Sequence, residues 1–152
     1  MRFPQLVAGF VLIAGCSGLG TLTPELLDQA EQKWNASKPA AYHLVVAMKG
    51  DRVEFGEYDV EVKNHVVTSL KRNGAVVDSK VGQDYSMDGL FRILREEIDL
   101  ARNPSLFGAP AGYSAYLMAS FDQSSGRLKQ YRRSVGGISN SIEIEVLQFD
   151  RL

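Results

Sequence analysis

Ala41-Tyr42-His43-Leu44-Val45-Val46-Ala47-Met48 decides the fold. In an extended chain Tyr42, Leu44, Val46 and Met48 fall on one side and His43, Val45 and Ala47 on the other, because successive side chains of a strand point to opposite faces. A strand with one fully apolar side must bury that side against another layer of structure. The flanking sequence supplies both the neighbouring strands and the covering helices.

Upstream, Thr23-Pro24-Glu25 reads as a helix start: a hydroxyl cap, proline at the first helical position and an acid in the first turn. Leu26, Leu27, Ala30 and Trp34 follow as one apolar stripe, predicting a helix from about Pro24 to Asn35 that stops at Ser37-Lys38-Pro39. Trp34 is expected to pack on the sheet. Downstream, Gly50-Asp51 turns the chain into a second strand near Arg52 to Lys63. There the apolar parity changes between Val53, Phe55 and Tyr58, Val60, Val62, so a bulge is expected at Gly56. Asn64-His65 leads into a third strand from Val66 to Arg72, and Asn73-Gly74 is a hairpin signal opening a short pairing in Ala75 to Val81.

A second helix is predicted from Met87 to Arg102, capped by Ser86, with Leu90, Phe91, Leu94 and Ile98 repeating the spacing of the first stripe. Asp88, Arg92 and Glu96 form i,i+4 pairs on paper, and the adjacent acids Glu96 and Glu97 are assigned to the solvated face. Asn103 to Gly112 is a loop. Tyr113 to Phe121 alternates as a strand, the Asp122-Gln123-Ser124-Ser125-Gly126 turn follows, and Arg127 to Val135 pairs with Ser141 to Phe149 as a last hairpin. Placing Val135 opposite Ser141 sets Arg133 against Glu143 and Tyr131 against Glu145.

The expected fold is α+β: about six antiparallel strands in one sheet with two helices on one face, in chain order α-β-β-β-α-β-β-β. The repeated helix spacing raises a duplication of one α-β-β-β unit, although the strands align poorly.

The first sixteen residues address location. Arg2 precedes an apolar run from Phe3 to Gly15, the order of a secretory signal. That run is too short to span the hydrocarbon, which takes about 17 to 25 apolar residues. It ends in Ile13-Ala14-Gly15-Cys16, which resembles the lipobox of bacterial lipoproteins: an aliphatic residue, two small ones, and the cysteine whose thiol accepts diacylglycerol. The resemblance implies cleavage before Cys16 and attachment to the membrane through acyl chains such as palmitate. Two or more chains hold firmly, since each buried methylene is worth about 0.8 kcal/mol. Ser17 stands where an inner-membrane lipoprotein typically has aspartate, so the implied destination is the periplasmic face of the outer membrane. The expected organisation is a signal peptide over 1–15, the lipidated cysteine and a short tether over 16–22, and one α+β domain over 23–152.

Trp34, Tyr42, Asn73-Gly74-Ala75-Val76-Val77, Ser86-Met87-Asp88-Gly89-Leu90-Phe91 and Phe121-Asp122 through Gly126 are together similar to a family of short bacterial lipoproteins sharing a domain of unknown function. Phe121 stands where that family usually has tyrosine, and Leu128 where it usually has proline. The resemblance brings no activity, cofactor or catalytic residue with it.

Composition narrows the remaining classes. Residues 16–152 are the length of one ordinary domain. The full chain carries 17 Lys plus Arg against 18 Asp plus Glu. So even a balance creates no long-range field for nucleic acid, and no nucleic-acid partner is expected. With the sole cysteine acylated, no thiol remains for a disulfide, a metal site or a nucleophile. There is no Gly-x-Ser-x-Gly elbow, phosphate loop or His-Glu-x-x-His helix. The Asp122 turn has alternating oxygens but lacks the carboxylates and closing glutamate of a calcium loop. No catalytic group, cofactor or metal is expected.

With helices on one face, the other is expected to show His43, Val45, Tyr116, Met118, Lys129, Tyr131, Arg133, Glu143 and Glu145. Its aromatics and Met beside Arg make His43, Tyr116, Met118, Tyr131 and Arg133 the candidate surface for an envelope protein partner. The resulting expectation is a non-enzymatic binding or structural module close to the membrane. The alternative is a hydrolase or small-ligand-binding domain with a pocket between the helices and the sheet.

Overall fold

Thr23 is extended and its hydroxyl accepts from the Leu26 amide at 3.2 Å, which starts helix α1 (Pro24–Ser37) as a side-chain cap. Ser86 does the same for helix α2 (Met87–Ala101), accepting from Gly89 at 3.1 Å. These helices belong to a computed structural model that describes residues 18–51, 56–78 and 84–152. The signal segment and Cys16, the Val53 and Phe55 parity, and the far end of the Ala75 to Val81 pairing lie outside the described residues.

The strands are β1 (Gly20–Thr21), β2 (Tyr42–Gly50), β3 (Gly56–Lys63), β4 (Val66–Arg72), β5 (Ala75–Val76), β6 (Ala115–Phe121), β7 (Leu128–Val135) and β8 (Ile142–Arg151). Among the described residues they form one antiparallel sheet of eight strands in the order β1-β6-β7-β8-β2-β3-β4-β5. Six were expected, and the two additional ones are short strands at the sheet's edges. β5 follows the Asn73-Gly74 turn, both of whose residues have positive φ, as a two-residue hairpin turn requires. β1 falls within the expected tether: Gly20 pairs with Ala119 and Thr21 with Met118, and Leu22 is buried. The folded body therefore begins at least as early as Gly20.

β2 and β8 form the central seam between the two three-stranded meanders. Tyr42, Leu44, Val46 and Met48 are buried, with Tyr58, Val60 and Val62 beside them on β3 and Ile142 and Ile144 on β8. Both helices cover this face. From α1, buried Trp34 packs edge-on against Tyr42 and Phe149, at 5.6 and 5.8 Å between ring centroids. From α2, Leu90, Phe91 and Leu94 are buried, and the Met87 amide donates to the Tyr42 hydroxyl at 3.1 Å.

The strand order settles the duplication. The meanders β2-β3-β4 and β6-β7-β8 progress in the same lateral direction across the sheet, yet their first strands run antiparallel to each other. Rotating one meander until the first strands coincide reverses its lateral direction. With the helices on a common face, the two halves are mirror arrangements and do not superpose.

A bulge corrects the expected pattern of β7. Ser120 pairs with Gln130 and Phe121 with Leu128, leaving Lys129 as an extra residue. Leu128, Tyr131, Arg133 and Val135 consequently all face the core, although Leu128 and Tyr131 have opposite parity in the sequence. The β7–β8 register is one residue away from the expected one: Arg133 lies opposite Ile142 and Tyr131 opposite Ile144, with Arg132 opposite Glu143 and Gln130 opposite Glu145.

Candidate functional site

The face left open by the helices carries part of the expected partner surface. Tyr116 is 61% and Met118 37% exposed on β6. His43 lies on the same face, half-buried, with Nε2 3.0 Å from Asp59 Oδ1 and Nδ1 3.7 Å from Asp150 Oδ2. Charges elsewhere on the face are compensated across the strands. Arg132 and Gln130 reach Glu143 at 3.4 and 3.2 Å, and Lys71 lies opposite Asp59. An antiparallel face of this kind is satisfied in water.

Tyr131 and Arg133 do not belong to that surface. Both are fully buried on the helix side, placed there by the Lys129 bulge. Arg133 Nη1 donates to both carboxylate oxygens of Glu97, at 2.8 and 2.6 Å, and the Tyr131 hydroxyl donates to Glu97 Oε2 at 3.0 Å. Arg133 Nη2 donates to Asn140 Oδ1 at 2.7 Å, and Asn140 Nδ2 donates to the Phe107 carbonyl at 2.8 Å. The guanidinium also lies over the Phe107 ring, 4.3 Å from its centroid. Glu97, assigned above to the solvated face, is thus the buried centre of a network joining α2, β7 and the 3-10 turn Pro104–Phe107. Glu96 is exposed as expected. Burial and the adjacent Glu97 charge push the Tyr131 hydroxyl far above its ordinary range.

A second polar cluster sits at the start of α2. Asp88 accepts from the Trp34 indole at 2.8 Å and from Lys38 Nζ at 3.2 Å on each oxygen. Arg92 pairs with Asp84 at 3.0 Å rather than with Asp88 or Glu96. Arg95 crosses to α1, pairing with Asp28 at 3.1 Å and with Glu31, and those bonds raise its basicity. Tyr42 is pushed up to about 12, first by burial.

The space between helices and sheet, where the alternative reading placed a pocket, is filled by the core side chains. Among the described residues, open grooves lie at the periphery. One, of about 570 Å³, lies between α1, β1 and the Asp122–Gly126 turn. Its walls include Lys33 and Lys129, with Gln29, Gln123 and Phe121 between them. The turn is held rigidly. Asp122 Oδ1 accepts from the amides and hydroxyls of Ser124 and Ser125 at 2.7 to 3.2 Å, which drives its carboxyl below the usual range, the Ser124 hydroxyl contributing most. Gly126, at φ +74°, packs on the α1 backbone, where a Cβ would fall 2.1 Å from the Ala30 carbonyl oxygen. Phe121, Asp122 and Gly126 of this turn were legible in the sequence as a hairpin; its groove with Lys33 was not.

Among the described residues no group of three or more His, Cys, Asp or Glu side chains is placed to hold a metal ion. No helix among them is long and apolar enough to cross a membrane. Comparison of the chain with known protein families, curated proteins and solved structures finds no match.

Proposed function

We propose that this chain is a lipid-anchored protein of the bacterial cell envelope, held through Cys16 at the periplasmic face of the outer membrane, whose body serves there as a non-enzymatic binding or structural module. The observation that carries the reading is the apolar run Phe3 to Gly15 ending in Ile13-Ala14-Gly15-Cys16, with the sole cysteine at the site of modification. The fold is compatible with it in one respect. Cys16 is four positions from Gly20, which is already paired in the sheet, so the anchor point lies within about 14 Å of the body at ~3.5 Å per residue. The envelope protein partner, on this reading, meets the exposed Tyr116 and Met118 with His43 further along the face.

Mass spectrometry of the processed protein tests the anchor. A chain beginning at Cys16 and carrying acyl mass is expected, together with loss of membrane retention in Cys16→Ala; a free thiol in processed material overturns the reading. Cross-linking in cells tests the surface: Tyr116→Ala with Met118→Ala should remove a captured envelope partner, and unchanged capture removes this face from consideration.

A further inference from the structure

The pairing of β1 fixes a direction as well as a boundary. Gly20 lies beside Ala119 and Thr21 beside Met118, antiparallel. Followed back from Thr21 to Gly18, the chain therefore runs along β6 toward Phe121 and the Asp122–Gly126 turn. Gly18 forms part of the wall of the groove at that turn. Only Ser17 separates it from Cys16, a reach of at most about 7 Å over two steps. Any anchor on Cys16 thus leaves the body at the turn end, beside this groove and away from the opposite end of the sheet, where Asp51 bonds Ser141.

The groove's charge is suited to what lies there. Lys33 Nζ is held across one end by the Gln123 carbonyl at 3.2 Å, and Lys129 stands at the bulge on the other wall. Among the described residues neither ammonium has a carboxylate within 4.0 Å. The nearby Asp122 is already engaged, one oxygen by the Ser124 and Ser125 donors and the other facing Arg127 at 3.9 Å. Gln29 and Ser124 add uncharged polar groups to the walls.

We infer that the turn end of the domain faces the bilayer and that the groove between Lys33 and Lys129 takes the phosphate of an anionic phospholipid headgroup. The inference rests on the lipid-anchor reading, and deepens it by giving the body one orientation and one lipid class. A lysine close to an anionic membrane surface strengthens attachment about fivefold, so the pair together should contribute on the order of tenfold or more.

Cys16 being the sole cysteine, the lipidated chain accepts a single added thiol for labelling. Fluorophores at Gln123→Cys on the groove rim and at Ser141→Cys at the far end are to be read in vesicles of phosphatidylcholine with phosphatidylglycerol, using a headgroup-attached quencher. Strong quenching at 123 and weak quenching at 141 is expected. At 123 it should fall when phosphatidylglycerol is omitted, or when Lys33→Gln and Lys129→Gln are combined. Equal quenching at both positions, or no dependence on phosphatidylglycerol, overturns the inference. Inorganic phosphate should not compete at millimolar concentration; if it does, the groove takes the free anion and the lipid assignment falls. The mass of the same sample separates the two claims. An acylated Cys16 with position 123 unquenched overturns the orientation and the headgroup site and leaves the anchor standing, whereas a free thiol overturns the anchor itself.

Discussion

The two ends of α2 are fastened to the rest of the molecule by the same kind of bond at different depths. At the first turn Asp88 takes the Trp34 indole and the Lys38 ammonium, with its side chain 36% exposed. Two and a half turns later Glu97 takes Tyr131 and Arg133, and the arginine is 0% exposed. Each carboxylate collects one neutral donor and one cation, and each has a buried tyrosine close by. The difference lies in what remains if the carboxylate is lost. At Asp88 the charge left behind, the Lys38 ammonium, is partly open to water, whereas at Glu97 a guanidinium is left inside an apolar core. Among the described residues its Nε already has no hydrogen-bond partner. Breaking a buried pair is costly because one charge is stranded, although replacing both members by apolar groups is often neutral.

The largest effect should follow Glu97→Ala. It is expected to destabilise the fold by about 3 to 5 kcal/mol, measured by denaturant unfolding. Arg133→Met combined with Glu97→Leu should recover most of that loss. If the double variant is as unstable as the single one, the network contributes more than mutual neutralisation.

Alkaline titration compares the two tyrosines. Tyr42 titrates near 12 in the folded protein and Tyr131 higher still, against an ordinary value of 10.0. A phenol whose folded pKa is raised contributes stability that is fully present below pH 10 and is lost as pH rises through the folded value. Stability should therefore decline from about pH 10 upward, by roughly 3 kcal/mol for Tyr42 alone at full effect. Tyr42→Phe should flatten part of that decline, and an unchanged slope would remove Tyr42 from the account.

Asp88→Ala should cost about 1 to 2 kcal/mol, less than Glu97→Ala, since the bonds lost are charge-assisted but partly hydrated. Equal costs at the two ends would dissolve the comparison. The smallest change is expected of Arg95→Ala. Its contacts with Asp28 and Glu31 lie at the surface, with the arginine side chain 47% exposed, and should contribute no more than about 1 kcal/mol, declining with added salt.

The elements were legible in the sequence because their signals are local. Thr23-Pro24 and Ser86 cap the two helices, and the alternation of Tyr42, Leu44, Val46 and Met48 faces the core as expected. Asn73-Gly74 makes its turn. The hidden features depend on distant partners. Nothing near Glu97 says that Arg133 will meet it, since the ion pair forms only once β7 is laid under α2. One clue was present: Leu128 and Tyr131 are both apolar, three residues apart, and share a face only if a residue between them is skipped. At Gly56 a glycine marks the change of parity, whereas here no glycine does. The groove beside Lys33 was invisible because it is assembled from α1, β1 and a turn remote from both in sequence.

Lys129 gives β7 the character of a ruler with one mark duplicated. Counted from Leu128 in strict twos, Arg132 would point inward and Arg133 outward; the extra step exchanges them. Straightening the strand with Lys129 kept would therefore be a change of phase for everything as far as Val135. Tyr131 would be offered to water and Arg132 to the oily layer. Which of two neighbouring arginines is solvated has been decided by a lysine that touches neither the carboxylate nor the core.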